Sequence, residues 1–230
     1  MITSKSLPEK EAGILREIRK KYKVAFEPLE VAGSTVQLLQ VTDLEAILGG
    51  KDPFKNVSEF PFWIKLWEAS IVLANIVTSL KPDPNHSILE LGAGLGAPGL
   101  IAAAKGFQVT LSDYEPLIMN FQRVSSAASG LNNIDFKMVD WTKPPAMGNF
   151  DTLIGAEILF RDELFQPLLN VFDQYLAPGG TIYLAHDQRR KSLGKFLALA
   201  EKDYKIMTKK VDISADQENK AIIVNRLQRR

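Results

Sequence analysis

The sequence predicts an α/β chain: a doubly wound, mostly parallel seven-stranded sheet that ends in an antiparallel hairpin, preceded by a small helix and β-hairpin. Three observations predict it. From about residue 62, short apolar runs alternate with helical stretches, which implies a parallel sheet covered on both faces. At Ile88–Gly99 a strand runs into a glycine-rich turn and then directly into a helix. The last two strand-like runs are separated by Asp216-Gln217-Glu218-Asn219, too short a link for a crossover helix, so they must pair antiparallel.

Taken in order, Ser6-Leu7-Pro8-Glu9 opens a helix with Ser6 as N-cap and Pro8 in the first turn. Ile14, Leu15 and Ile18 give that helix one narrow apolar side. Val24–Phe26 and Leu29–Val31, a Gly33-Ser34 turn and Val36–Val41 read as a hairpin. Asp43 caps a short helix through Leu48, stopped by Gly49-Gly50, and 53–61 is a loop. Residues 1–61 are therefore an extension, and 62–230 the main domain. There Trp67–Leu80 reads as a helix ended by Lys81-Pro82-Asp83-Pro84. The strands are Ile88–Leu91, Gln108–Asp113, Ile134–Asp140, Phe150–Glu157 and Thr181–Asp187. Between them lie the helices Pro98–Lys105, Glu115–Ser129 and Asp162–Leu176, with Gly106 and Gly130 where helix C-termini need a left-handed residue. A last helix, Ser192–Lys202, precedes the strands Tyr204–Ile213 and Lys220–Leu227.

Composition narrows the chemistry. The 28 Lys and Arg balance 27 Asp and Glu, an evenness that gives no footprint for nucleic acid. The absence of cysteine excludes disulfides, thiolate zinc sites and cysteine nucleophiles, and two histidines are too few for a histidine-rich metal site. No apolar run approaches the roughly 20 residues that span a bilayer, and the charged N-terminal stretch lacks the apolar core of a secretory signal. The expectation is a soluble cytoplasmic protein with no metal and no membrane or nucleic-acid partner.

The most informative segment is Glu90-Leu91-Gly92-Ala93-Gly94-Leu95-Gly96-Ala97-Pro98-Gly99. Gly94 to Gly99 satisfies the dinucleotide spacing G-x-G-x-x-G, so a nicotinamide cofactor is one reading. Two details favour a different ligand. Glu90 puts a carboxylate where a pyrophosphate would lie, and Pro98 removes an N–H from the helix start that a phosphate would use. S-adenosylmethionine has no phosphate and carries a sulfonium and an ammonium, which suit a nearby carboxylate.

These residues resemble the signature loop of the class I, seven-strand, Rossmann-like methyltransferases, and further matches follow in order. Asp113 ends the second strand, where that family's acidic residue accepts from ribose hydroxyls; Asp140-Trp141 ends the third, where adenine is recognised; Leu176-Ala177-Pro178-Gly179-Gly180 is similar to the turn before the fifth. Pro61-Phe62-Trp63-Ile64-Lys65-Leu66-Trp67-Glu68-Ala69-Ser70 resembles, more narrowly, the protein-lysine methyltransferases of methyltransferase family 16, and the hairpin from Leu29 is similar to their branch acting on electron-transfer flavoprotein β subunit. The resemblance implies S-adenosylmethionine as cofactor, held by Trp67, Glu90, Gly92, Gly94, Gly96, Asp113, Tyr114, Asp140, Trp141 and Glu157. It also implies a protein lysine as methyl acceptor. The family's Asp-x-x-Tyr after the fourth strand is here Glu157-Ile158-Leu159-Phe160, which keeps the carboxylate and loses the phenol.

The strand ends thus supply Glu90, Asp113, Asp140, Glu157 and His186-Asp187, the rim where ligands of open α/β sheets bind. Glu157 is expected to orient the acceptor amine, and Phe160 and Trp63 to wall its channel; His186 reads either as a proton acceptor or, equally, as a buried structural histidine. Trp63 and Trp67 also fit core aromatics four apart on one helix face. Three alternatives share parts of this reading: transfer to a small-molecule amine, hydroxyl or carbon acid, a nicotinamide oxidoreductase, and a cofactor-binding protein without turnover.

Overall fold

The computed structural model describes residues 7–43, 47, 62–215 and 218–230. Ser6, most of the helix expected from Asp43 through Leu48, and the loop 53–61 lie outside the described residues.

The first helix, α1 (Glu9–Lys21), starts after Pro8, which stands at the cap position rather than in the first turn. A hairpin follows, β1 (Val24–Val31) and β2 (Ser34–Val41), in register from Val24↔Val41 to Val31↔Ser34. Its turn is Ala32-Gly33, not Gly33-Ser34, and both residues have positive φ (47° and 78°), the left-handed pair that a type I′ hairpin turn requires. Helix α2 (Glu68–Thr78) leads to five parallel strands: β3 (Ser87–Leu91), β4 (Gln108–Asp113), β5 (Ile134–Met138), β6 (Phe150–Ala156) and β7 (Leu176–Asp187). Between them stand α3 (Ala97–Ala104), α4 (Pro116–Ala128) and α5 (Phe165–Tyr175); after β7 come α6 (Leu193–Ala200), β8 (Tyr204–Ala215) and β9 (Glu218–Arg229). The sheet order is β5-β4-β3-β6-β7-β9-β8, with β9 antiparallel to both neighbours. The expected doubly wound sheet with a terminal hairpin is what forms.

Strand parity decides where side chains go. Ile88, Val109, Leu111, Ile154 and Ala185 pack under α2, α3 and the N-terminal hairpin. Leu89, Leu91, Leu153, Ile182 and Leu184 face α5 and α6. The extension is not appended loosely: Leu15, Ile18, Leu39 and Val41 share one buried cluster with Ile64, Leu95, Phe121 and Val124. The backbone N–H groups of Gln37 and Leu39 on the edge of β2 donate to the hydroxyls of Ser129, the C-cap of α4, and Ser125 within it, at 2.8 and 2.9 Å. Buried N–H groups need such partners, and two serines one helical turn apart supply them.

Several boundaries differ from the sequence expectation. Helix α2 starts at Glu68 with Trp67 as its N-cap, and Trp63 lies in a separate 3₁₀ turn (Phe62–Ile64), so the two tryptophans do not share a helix face. Strand β7 begins at Leu176, earlier than Thr181, taking in the Pro178-Gly179-Gly180 segment; the irregularity shows as a register shift against β6 between Phe150 and Thr152. Strand β5 stops at Met138, leaving Asp140 in the loop beyond.

The sheet's order reverses between β3 and β6, which opens a crevice at their carboxyl ends. Helix α3 starts there and lies hard against the sheet at Gly99, where an added Cβ would come within 2.3 Å of Leu111 Cδ2 and 2.6 Å of Glu90 Oε2. Gly99→Ala is therefore expected to cost about 1–3 kcal/mol by overpacking. Denaturant unfolding checks it, and an unchanged midpoint would mean that α3 is free to shift away.

Candidate active site

Strand β3 delivers the chain into a turn in which Gly92, Gly94 and Gly96 all have positive φ, at 58°, 53° and 75°. Such backbone is strained for any residue with a Cβ. At Gly92 space forbids one as well, since it would lie 2.9 Å from Ile158 Cγ2. Hydrogen bonds fix the turn from several sides. Ala93 N–H donates to Ser112 O at 2.9 Å, Gly94 N–H to Asp113 Oδ2 at 2.9 Å, and Gln122 Nε2 to Gly94 O at 2.8 Å.

A cleft of about 760 Å³ lies over this turn, within the range of cofactor sites. Its lining gathers residues far apart in sequence: Trp67, Glu90, Gly92, Gly94, Gly96, Asp113, Tyr114, Asp140, Trp141 and Glu157, the whole set expected at the cofactor, together with Trp63 and Phe160. Tyr114 is 64% exposed. The Trp63 ring packs edge-on against Tyr22, the C-cap of α1, and Phe121 of α4, which brace this wall.

Three acidic groups differ in state because their surroundings differ. Glu90 is only 2% exposed and accepts the Gly99 N–H at 2.8 Å; burial and the nearby Asp113 push its carboxyl up to about 8. Asp113, buried at the end of β4, accepts from Gly94 and from its neighbour Tyr114 at 2.8 Å, and burial raises it to about 6. Asp140 is exposed, and its Oδ1 takes both the hydroxyl and the N–H of Thr142, which hold it below the usual carboxylate range.

Two expected roles are corrected. Glu157 lines the cleft, but its carboxylate is not open to an amine. Oε1 accepts Asp187 N–H at 2.5 Å, and Oε2 accepts Arg190 Nη2 at 2.6 Å and Nε at 3.1 Å, with both side chains 6% exposed. Burial pushes its carboxyl up, and the Arg190 guanidinium opposes the rise. His186 does not line the cleft at all. It shares the α5/α6 side of β7 with Leu184, is 0% exposed with both ring nitrogens unpartnered, and burial drives it down to about 3, so it is a neutral interior residue rather than a proton acceptor. Three cleft-related cations escaped the sequence reading. Lys65 and Arg161 line the cleft, with Lys65 Nζ 4.8 Å above the Trp67 ring, and Arg190 holds Glu157. Lys65 stands inside the segment that carries the family resemblance, a signal left unused; Arg190 sits in a run of charges that resembles solvated surface.

A doubly wound sheet with a glycine turn, a strand-end carboxylate and an aromatic-walled cleft is the frame of a Rossmann-like nucleoside-cofactor site. The pattern of the lysine methyltransferase family matches residues 62–203, and the chain belongs to that family. Protein N-lysine methyltransferase METTL21A of Xenopus tropicalis is 29% identical over 157 residues, 66% of this chain and 73% of that one. Histidine protein methyltransferase 1 homolog of Dictyostelium discoideum is 31% identical over 150 residues, 62% of this chain and 48% of its own length. Among solved structures, precorrin-6y C5,15-methyltransferase of Geobacter metallireducens shares the fold, with a TM-score of 0.59, 13% identity and coverage of 74% and 92%. The protein is thus an S-adenosylmethionine-dependent protein methyltransferase, and the family match selects methyl transfer over the nicotinamide alternative. No helix among the described residues is long and apolar enough to cross a membrane.

The residues present fit that cofactor. Asp113 spends one lone pair of each oxygen on backbone donors and keeps others for sugar hydroxyls, and the left-handed glycines keep side chains off the turn. Burial above all lets Glu90 keep its proton to about pH 8 and Asp113 to about pH 6. A cationic ligand favours the ionised forms, so its binding releases protons and its affinity climbs as pH rises from 6 to 8. Calorimetry with S-adenosylmethionine in buffers of different ionisation enthalpy reads that release, and a pH-independent affinity without it would contradict the assignment.

Proposed function

We propose that the chain transfers a methyl group to the ε-amine of a protein lysine, with the cofactor seated on Gly92–Gly96. Asp113 would hold the ribose hydroxyls, with Asp140 and Trp141 beside the adenine and Trp67, Glu90 and Tyr114 completing the enclosure. The observation that carries the reading is that apolar and aromatic side chains, Ile158 and Phe160 among them, line the cleft on the segment following Glu157, a carboxylate already neutralised by Arg190.

S-adenosylmethionine supplies an activated methyl on a sulfonium sulfur, so no metal is required. The chain contributes alignment of the acceptor nitrogen, an effect that can remove roughly 7–11 kcal/mol of barrier. A lysine must also be neutral to react. With an ordinary pKa near 10.4, only about one amine in 2,500 is neutral at pH 7, a cost of about 4.6 kcal/mol in water. An apolar wall without free negative charge lowers that pKa by disfavouring the ammonium. Phe160 replaces a hydroxyl with more apolar surface, which strengthens this effect. The METTL21A relative is named for action on lysine and the Dictyostelium relative for action on histidine; an imidazole is the second acceptor that such a wall would suit.

Asp113→Ala is expected to weaken S-adenosylhomocysteine binding at least tenfold in calorimetry, because the sugar and the Gly94 N–H both lose their acceptor. Unchanged affinity would remove Asp113 from the site. Incubating the wild type with methyl-labelled cofactor and a size-fractionated lysate should place label in protein, on methyllysine after hydrolysis. Label confined to small solutes would overturn the protein reading, and methylhistidine would overturn the lysine one.

A further inference from the structure

We propose that Arg190 is a positioning residue for the methyl acceptor: through Glu157 it fixes the acceptor wall of the cleft and cancels the charge behind it. The proposal deepens the lysine reading and rests on it only for the acceptor's own ionisation.

Glu157 follows the last residue of β6 and has φ 57°, one of two non-glycine residues with positive φ among those described. Strain of this kind persists where surroundings over-determine it. Here its N–H donates to Ala185 O at 2.9 Å, its Oε1 accepts the Asp187 N–H, and its Oε2 accepts two donors from one guanidinium. Beyond it the chain must place Ile158 against Gly92 and then Phe160 on the cleft wall. Two more ties run in parallel to the same partner segment: the Ser192 hydroxyl donates to Leu159 O, and Lys195 Nζ meets Asp162 at 2.6 Å. The stretch 157–162 is therefore bound to 187–195 as one unit. Arg190 is its only tie that is buried and carries charge at both ends, among the described residues.

The electrostatics point the same way. The charged and titratable groups bearing on Glu157 are Arg190 and Asp187, with Arg189 paired to Asp187 at 2.7 Å and the neutral His186 beside Arg190. Without Arg190 a buried carboxylate would stand behind the acceptor wall. It would either stabilise an incoming ammonium, the unreactive form, or take up a proton itself.

The experiment compares the full-length wild type with R190K, R190Q and the double variant E157Q/R190Q. It measures S-adenosylhomocysteine affinity by calorimetry, and kcat and KM for whichever protein acceptor the wild type labels. R190Q should keep cofactor affinity within about threefold while acceptor kcat/KM falls at least tenfold. R190K should recover part of the loss. The R190Q pH profile should gain an ionisation that the wild type lacks and that E157Q/R190Q loses, a signature that mere loosening of the fold would not give. R190K also keeps a buried cation, so it answers the question if R190Q does not fold. The proposal fails if cofactor affinity falls in step with turnover, if R190Q and R190K turn over like the wild type, or if no ionisation attributable to Glu157 emerges. A wild type that labels histidine would overturn the lysine reading yet leave the Arg190 comparison intact.

Discussion

The hydrogen bond from Gly94 N–H to the Asp113 carboxylate is the contact on which the rest of the site depends. It joins the loop after β3 to the end of β4, on one side of the point where the sheet's order reverses. The turn's three left-handed glycines would otherwise have many conformations available. With Asp113 holding the Gly94 N–H and Glu90 the Gly99 N–H, both the turn and the first turns of α3 are tied to strand ends. The same two carboxyl groups face the cleft. Burying them raises their proton affinity, a penalty that a cationic ligand relieves. Structure and ligand recognition therefore draw on the same groups.

The cleft's two ends are built on different principles. The cofactor end is held by backbone donors and by packing that reaches the N-terminal extension through Tyr22, Trp63 and Phe121. The end proposed for the acceptor is held by an internal ion pair across two loops. Such pairs add little net stability, because desolvation offsets the attraction, but breaking one leaves an uncompensated charge. That asymmetry suits a group whose task is to keep one geometry.

The sequence made the strand–turn–helix at Ile88–Gly99 legible because glycine spacing reports backbone requirements directly, and Gly92, Gly94 and Gly96 adopt the positive φ that the spacing demands. The hairpin was legible too, but its turn was misplaced by one residue, because Ala32 carries a conformation that composition does not advertise. His186 stood undecided between proton acceptor and interior residue for a general reason. Strand β7 is buried on both sides, so alternation along it carries no signal about which side chains reach the strand-end rim. The Glu157 position was legible as a strand end, but its partner was not: Arg189, Arg190 and Lys191 look alike as a basic run, and only the fold buries the middle one while leaving its neighbours exposed.

The central claim is that the turn after Leu91 holds a sulfonium nucleoside with its sugar on Asp113. The most direct measurement is a crystal structure of the complex with S-adenosylhomocysteine. The predicted density has ribose hydroxyls within hydrogen-bond distance of Asp113, the adenine against Asp140-Trp141, and the sulfur directed toward Ile158 and Phe160. Ligand density elsewhere, or a sugar contacting a different acidic residue, would contradict it.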